Sequence, residues 1–379
     1  MEILTEMQKK KLAKKVWYSL NTGQPQKSAD ILEQAVKKYP NDRWLSLFYC
    51  EINSLIGNVE GAIKKLNKML KLQPDFSEGW ALLGEIYSKI KKYKQATKAY
   101  EKALELNPNE SNWLDSLVYL YFQGRKVKHA HKVLHNALRE NPQDHWMRLL
   151  LAMTYLFDSK PQKAFLSAKS VIDECSSMLI GKSSLGIYAL NLAGSCKMET
   201  EEYDEAISYF KEAIRINQNS YYNLAQCYFN LKHYNRAIKY CKMAIAIEPN
   251  DSNYWELLGR IYIELSYWEK VSNALKRAIN LGNEKISTQA CLCLSLYYSC
   301  KYKEALERCN AVLANNPGEK NILYLCACIY NKMNLPELAL DYLEKALNSG
   351  FQINQIDINE FTELEDSPRF NSLINPRRN

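Results

Sequence analysis

The chain has 379 residues, of which 47% are hydrophobic and 24% are charged, a balance typical of a folded globular protein. Its formal net charge of +8, from 50 basic and 42 acidic residues, is a mild excess that does not by itself indicate a nucleic-acid or membrane partner. The amino terminus lacks the apolar core of a signal peptide, and no stretch approaches the roughly 18 apolar residues of a membrane-spanning helix, so we expect neither element.

In chain order, a position that usually holds a small residue recurs at a nearly constant spacing. Successive members lie 34, 34, 34, 34, 42, 31, 34, 34 and 34 residues apart. A fixed period of this length is the sequence signature of a repeat architecture, so ten members predict ten structural repeats. The ten anchor positions are Ser28, Ala62, Ala96, Ala130, Ala164, Ala206, Ala237, Val271, Ala305 and Ala339.

The stretch from Ser77 to Pro108 displays one repeat most clearly. Four residues lie at i, i+3, i+4 and i+7, which is one face of a helix. After a short break, three more lie at i, i+4 and i+7, which is one face of a second helix. Lys91 is predicted to lie in the turn between the two helices, and the small residues Gly84 and Ala96 should let the helices approach closely. The seven residues are Trp80, Leu83, Gly84 and Tyr87, then Ala96, Tyr100 and Ala103.

This order and spacing resembles the tetratricopeptide repeat (TPR), and the resemblance covers nearly the whole chain. It implies an all-α fold, a right-handed α-solenoid (superhelix) of about ten helix-turn-helix repeats with a C-terminal capping helix. In the family, the first helix of each pair lines a concave groove. Members usually hold a peptide or helix of another protein in that groove and perform no chemistry.

Two irregular steps divide the predicted array. The step of 42 between Ala164 and Ala206 is longer than the period of 34, and the following step of 31 is shorter. We expect a lengthened second helix ending near Ile180 and then a loop over residues 181–184, which is either a tolerated insertion or a hinge or contact surface. The predicted organisation is an N-terminal TPR array of repeats one to five (1–175), the insertion (176–186), a C-terminal TPR array of repeats six to ten (187–353), and the capping helix and tail (354–379).

A cap is expected after the last repeat because the end of a solenoid would otherwise expose its core. The residues after 353 alternate between apolar and acidic side chains. Those predicted to cover the last repeat are Phe361, Leu364, Phe370 and Leu373, and those predicted to face water are Glu360, Glu363, Glu365 and Asp366.

No pattern in the chain predicts a catalytic, metal or cofactor site. His131 and His135 are four apart on a helix, a spacing that could hold zinc, but no neighbouring Cys or acidic residue supplies an obvious third ligand. Two C-x-C pairs point their thiols to different sides of a helix. Because several of the eleven cysteines fall on core positions, they behave as small hydrophobes. This usage favours a reducing, cytoplasmic location over a disulfide framework.

The residues that face the groove follow from the packing face. With Trp80 as position four of its repeat, positions two, five, nine and twelve form one stripe along the first helix. Aromatic residues, which are typical of binding hot spots, recur along this stripe, and amides beside them could bond a peptide backbone. The alternative is that some aromatics only pack between repeats. The predicted partner-binding set is Trp44, Tyr119, Phe122, Trp146, Tyr188, Asn191, Tyr222, Asn223, Gln226, Phe229, Arg260 and Tyr297.

The first-helix positions lack two signatures of known TPR families. Co-chaperones that bind the acidic tail of heat-shock chaperones need Lys at position five and Asn at position nine, and this chain has neither, so we expect no such carboxylate clamp. Sugar-transferring superhelices carry a ladder of Asn at position six, where this chain has one, Asn223.

These observations predict a non-enzymatic scaffold or adaptor that binds a partner peptide or helix in the groove, mainly between Tyr119 and Phe229. One alternative is a regulatory or substrate-recruiting subunit of an enzyme complex, such as a glycosyltransferase, on a separate chain. A second is an RNA-binding helical repeat protein, which the stripe disfavours because Lys10 and Arg260 are its only cations. Self-association into a homo-oligomer is a third.

Overall fold

The computed structural model describes residues 3–108, 110–177, 184–216 and 220–374, and every regular element in these ranges is helical. The chain divides into two compact units, Met1–Cys196 and Lys197–Asn379, here called the N-terminal unit and the C-terminal unit. Within each unit, successive helices form helix-turn-helix pairs that pack on the next pair. This arrangement confirms the predicted all-α solenoid of TPR-like repeats.

The N-terminal unit, in its described residues, consists of five helix pairs and most of an eleventh helix. The first helices are α1, α3, α5, α7 and α9, and each is followed by the second helix of its pair. The bounds are α1 (Glu6–Asn21), α2 (Pro25–Lys38), α3 (Arg43–Leu55), α4 (Val59–Leu72), α5 (Ser77–Lys89), α6 (Tyr93–Leu106), α7 (Ser111–Gln123), α8 (Val127–Glu140), α9 (His145–Phe157), α10 (Pro161–Ser177) and α11 (Ser184–Glu199).

The C-terminal unit continues the alternation of first and second helices and ends in a non-repeating segment. Its helices are α12 (Tyr203–Ile216), α13 (Tyr221–Asn230), α14 (Tyr234–Ile247), α15 (Ser252–Glu264), α16 (Trp268–Asn280), α17 (Ile286–Tyr298), α18 (Tyr302–Asn315), α19 (Lys320–Lys332) and α20 (Pro336–Asn348). After α20 come two 3-10 helices, Ile353–Gln355 and Ile358–Leu364, and then α21 (Pro368–Ile374). We call residues 351–374 the C-terminal segment.

The helix starts reproduce the predicted period. First helices α3, α5, α7 and α9 begin at residues 43, 77, 111 and 145, and α15, α17 and α19 begin at 252, 286 and 320. Before the irregular step, α10 has 17 residues, whereas α8 has 14, as expected for a lengthened second helix. Its predicted end near Ile180 and loop residues 181–183 lie outside the described residues. Ser184, expected in the loop, is instead the first residue of α11.

One residue in the left-handed region ends each turn between a first and a second helix. Successive examples are Gly57 (φ +92°), Lys91 (φ +58°), Arg125 (φ +53°) and Ser159 (φ +54°), again 34 residues apart. A left-handed residue after a helix reverses the chain direction and satisfies the last carbonyls of that helix. The placement of Lys91 in the turn is therefore confirmed.

All ten anchor residues of the period are 0% exposed. The polar anchor, Ser28, is satisfied because its hydroxyl donates to the backbone oxygen of Val16 at 3.0 Å. On the facing first helix, a Cβ placed on Gly84 would lie 2.8 Å from the ring of Tyr100. The absence of a side chain at Gly84 thus lets the Tyr100 ring lie directly against the α5 backbone.

The C-terminal segment closes the core of the last repeat, as predicted. Phe361, Leu364 and Phe370 are buried, and Leu373 packs against the same core. Glu363, Glu365 and Asp366 are exposed. The prediction that Glu360 faces water is wrong, because this side chain is half-buried and lies against α17 and α19. The salt bridges of Arg369 to α20 fix α21, with distances of 3.2 Å to Glu337, 2.7 Å to Asp341 and 2.8 Å to Glu344.

Replacing Gly84 with alanine should destabilise the protein by about 1–3 kcal/mol, the usual cost of overpacking a well-filled core. The new methyl group meets the buried Tyr100 ring, which cannot turn away without disturbing its own neighbours. Gly318→Ala is the matched control, since a Cβ there meets nothing within 4 Å, and its effect should stay within about 0.5 kcal/mol. Urea unfolding followed by circular dichroism measures both, and equal effects would contradict this account of the packing.

Candidate functional site

The predicted partner-binding residues fall into two sets, one in each unit. Positions two, five, nine and twelve of the first helices, with Asn223 at the adjoining position six, form what we call the first-helix face of each unit. The set in the N-terminal unit is Trp44, Tyr119, Phe122, Trp146, Tyr188 and Asn191. The set in the C-terminal unit is Tyr222, Asn223, Gln226, Phe229, Arg260 and Tyr297. The structure therefore presents two candidate faces, and each is described by itself.

In the N-terminal unit, several predicted aromatics pack against aromatics of the next repeat. The Phe122 ring stacks on Phe157 with centroids 5.1 Å apart, and the Trp146 ring lies 5.3 Å from the ring of Tyr188. The Tyr188 hydroxyl also donates to the sulfur of Met153 at 2.7 Å. These contacts support the alternative interpretation, in which such residues join neighbouring repeats.

Two further predicted residues of this unit are also engaged within the protein. Trp44 stacks on Phe48 of its own helix, with centroids 5.1 Å apart. The side-chain amide of Asn191 donates to the backbone oxygen of Ile187 at 3.0 Å. Neither group is therefore fully available to a partner in this structure.

Tyr119 is the exception among the predicted aromatics, because 53% of it is exposed. It borders a cleft of about 400 Å³ between α5 and α7, which Glu85, Lys89 and Asp115 also line. Glu85 forms a salt bridge of 2.7 Å with Lys89. Burial raises the pKa of Asp115, because the charged carboxylate is poorly solvated there.

In the C-terminal unit, Tyr222, Gln226 and Phe229 of α13 adjoin α15. The Tyr222 ring stacks on Tyr254 at 4.9 Å, and its hydroxyl accepts a hydrogen bond of 3.1 Å from the Gln226 amide. The guanidinium of Arg260, an exposed residue, lies 5.0 Å from the centre of the Phe229 ring. A cation over an aromatic face is attracted by the negative potential of the ring. Asn223 is half-buried on the same helix.

The C-terminal segment lies on the first-helix face of α17 and α19. The Tyr324 hydroxyl accepts a hydrogen bond of 3.0 Å from the backbone N–H of Asp357. The Asn331 amide donates to the backbone oxygen of Glu360 at 2.8 Å. The Tyr297 hydroxyl donates to the Glu360 carboxylate, which also forms a salt bridge of 3.1 Å with Lys332. Face residues thus bind two main-chain groups and one carboxylate of a polypeptide segment.

The position of Tyr297 corrects the prediction that this residue lies exposed in the groove. Tyr297 is 6% exposed, and burial together with the hydrogen bond to Glu360 raises its pKa. Tyr324 and Asn331, which hold the segment, were not in the predicted set although they occupy positions five and twelve. The sequence signal that could have indicated them is the mixture of apolar and acidic residues at 356–361. This mixture resembles a bound peptide segment more than an exposed chain terminus.

Sequence comparisons match two repeat families. Residues 65–176 match the cytochrome c-type biogenesis protein H TPR domain, and residues 20–86 and 197–261 match a tetratricopeptide repeat model. The chain is a tetratricopeptide repeat protein. A curated relative is anaphase-promoting complex subunit 3 of Schizosaccharomyces pombe, 26% identical over 189 residues. That match covers 49% of this TPR protein but only 28% of the relative.

Solved structures resemble the fold of this TPR protein. A tetratricopeptide repeat protein from Parabacteroides merdae aligns with a TM-score of 0.50 and 15% identity, over 76% of this chain and 98% of that chain. The crystal structure of the APC/C hetero-tetramer Cut9–Hcn1 aligns with a TM-score of 0.48 and 13% identity, over 92% and 94% of the two chains. These likenesses concern the fold.

His131 and Cys50, two side chains of types that hold metals or undergo redox chemistry, make packing contacts within this TPR protein. His131 lies 3.7 Å from Asp158 and 4.7 Å from the ring centre of Tyr155. Burial raises the pKa of the Cys50 thiol to about 12, so this thiol stays protonated and unreactive at neutral pH. In the described ranges, no group of three or more His, Cys, Asp or Glu residues is arranged to hold a metal ion, and no helix there is both long and apolar enough to cross a membrane.

The raised pKa of Asp115 predicts a pH-dependent effect of the change Asp115→Asn. The folded protein holds this proton more tightly than the unfolded chain, so the charged carboxylate costs stability above its folded pKa and the cost disappears as the pH falls through it. Asp115→Asn should therefore raise the free energy of unfolding at pH 7, and the gain should shrink towards pH 3. Urea unfolding at several pH values measures this. A gain that stays constant between pH 7 and pH 3 would contradict this account of Asp115.

Proposed function

We propose that this TPR protein is a non-enzymatic scaffold that holds a segment of a partner protein on the first-helix face of its C-terminal unit. One observation carries the proposal: residues 356–361 of the chain itself lie on this face, held through main-chain groups by Tyr324 and Asn331. Side chains that bind main-chain groups accept many sequences, because every polypeptide carries the same amide groups. The face is therefore suited to binding extended polypeptide.

The neighbouring part of the same face carries groups of the same kind. Gln226 and Asn223 of α13 supply amides, and Arg260 of α15 supplies an exposed cation over an aromatic ring. The described hydrogen bonds and salt bridges of the C-terminal segment go to α17, α19 and α20, which leaves α13 and α15 for a partner. We propose that these residues, with Tyr222 and Phe229, bind that partner's segment. In the N-terminal unit, Tyr119 is the corresponding candidate.

A second candidate function is that of a subunit in a larger assembly. The curated relative is by name a subunit of the anaphase-promoting complex, and its similar part covers about half of this chain. This similarity supports a role as one repeat-built component among several chains, including the regulatory or recruiting subunit considered from the sequence. A scaffold that binds segments of other chains would serve in such an assembly without catalysing a reaction.

A double variant tests the proposed face directly. Tyr222→Ala combined with Gln226→Ala removes the stacked ring and the amide of α13, so we expect capture of specific partners by the tagged full-length protein to fall at least about tenfold. Such a loss corresponds to about 1.4 kcal/mol, a usual effect of truncating interface anchors. Affinity capture from native lysate with quantitative mass spectrometry measures it. Circular dichroism melting verifies that the variant is folded.

The matched control removes a ring and a cation from the second-helix side. Lys270 lies 4.5 Å from the centre of the exposed Tyr267 ring, so Tyr267→Ala with Lys270→Ala removes a comparable pair. Partners retained by this control and lost with the α13 variant would support the proposal. Partners retained by both would contradict it. If partners are lost with Tyr119→Ala instead, the binding site lies in the N-terminal unit. If partners are lost after ribonuclease treatment, RNA binding is favoured.

A further inference from the structure

The C-terminal segment is held unevenly along its length. Phe351 and Phe361 are buried at either end, and Phe370 of α21 is buried beyond them. Between the two ends, Asp357 and Asn359 are exposed, and 51% of Ile358 is exposed. The stretch 352–360 is therefore an arch between two apolar anchors, and its middle is held to the face by the buried side chain of Ile356 together with polar contacts.

The backbone permits this arch to move independently of the anchor that follows it. The 3-10 helix Ile358–Leu364 is interrupted at Phe361, whose φ of −126° and ψ of 25° are not helical. A break next to a fully buried ring lets the preceding residues lift away while Phe361 stays in the core. Ile356 is the one buried side chain within residues 352–360. Segments with few buried apolar contacts open locally at a small fraction of the global unfolding free energy.

The face beneath the arch has a definite chemical preference. Tyr297, Asn331 and Lys332 all present hydrogen-bond donors to Glu360, two to its carboxylate and one to its backbone oxygen. Hydrogen bonds to a charged carboxylate are roughly twice as strong as neutral ones. A segment with a carboxylate at this place is thus favoured over a neutral or basic one.

An unfilled cleft lies beside the arch. It has a volume of about 320 Å³ and is lined by Ala290, Leu294 and Tyr298 of α17, by α19, and by Gln355 and Asp357 of the arch itself. A cleft of this size accommodates one or two apolar side chains. The face therefore offers an apolar cleft and, next to it, donors for a carboxylate.

We propose that the α17–α19 part of the first-helix face is a binding site for an acidic, partly apolar segment of a partner protein. Residues 352–360 occupy this site in cis, and a partner segment of the same chemistry displaces them. This inference rests on the proposed function and specifies the partner class for this part of the same face. Because a tethered segment acts at an effective concentration on the order of millimolar, the arch competes strongly with a partner until the partner or a substitution displaces it.

The test uses the full-length protein and a fluorescein-labelled peptide with the sequence of residues 352–362. Glu360→Lys in the protein places a cation against Lys332 and weakens the arch, while the face itself stays intact. We expect this variant to bind the peptide at least about tenfold more tightly than the wild type, measured by fluorescence anisotropy. Glu363→Lys, a charge reversal at an exposed position of the same segment, should bind like the wild type.

Two further arms test whether the peptide binds at this site. Adding Tyr297→Phe to Glu360→Lys removes one donor to the carboxylate, so the gain in affinity should fall several-fold. A peptide with lysine in place of the residue corresponding to Glu360 should bind at least tenfold more weakly than the native peptide. Hydrogen exchange in Glu360→Lys should accelerate over 352–360 while α19 and α20 keep their protection.

Equal peptide affinity of wild type and Glu360→Lys would overturn the proposal, and so would exchange that accelerates throughout α19 and α20. The second result would mean that the arch is an integral part of the last repeat. The proposed function is judged separately, by capture of partners through Tyr222 and Gln226. If capture depends on these residues while the peptide does not bind, this inference alone fails. If the peptide binds while capture is unaffected, the α13 site fails.

Discussion

The close contact of the two helices at the anchor position is the constraint on which the repeats depend. All ten anchors are 0% exposed, and most of them are alanine, so each second helix lies close to its neighbours. The position four residues later tolerates more variety: it holds Tyr100 in one repeat and Cys241 or Cys309 in others, all of them buried. In a repeat protein each unit contacts only its neighbours, so the same local rule, applied repeatedly, builds an extended core.

This locality explains why most of the fold could be predicted from the sequence. The period, the helix starts, the turn at Lys91 and the apolar cap each depend on residues within one or two repeats. The irregular step after Ala164 could be located for the same reason, but its conformation could not, and Ser184 proved to be helical rather than part of a loop. Where the period is broken, the spacing locates the irregular step but does not predict the conformation of its residues.

The candidate site was harder to predict, because exposure depends on what lies above a helix. A stripe derived from one helix assigns both Phe122 and Trp146 to the groove. In the structure, each of them packs on an aromatic residue of the following repeat. The predictions that Tyr297 and Glu360 are exposed were wrong for a related reason. Each was assigned to water or to the groove by its type and position, while a non-periodic segment, 63 residues away in sequence, brings the two into contact.

The contacts of residues 356–361 also indicate how such a face can discriminate between partners. Tyr324 and Asn331 bind main-chain groups, which carry no sequence information, whereas Tyr297 and Lys332 bind a carboxylate. Binding energy from the main chain is available to any extended segment, and the placement of the charge then decides between segments. Arg260, exposed over Phe229, supplies a positively charged donor two repeats earlier in the chain than Lys332. Under the proposed function, a face built in this way would select partners by the spacing of their acidic residues and would require no pocket that is shaped for one side chain.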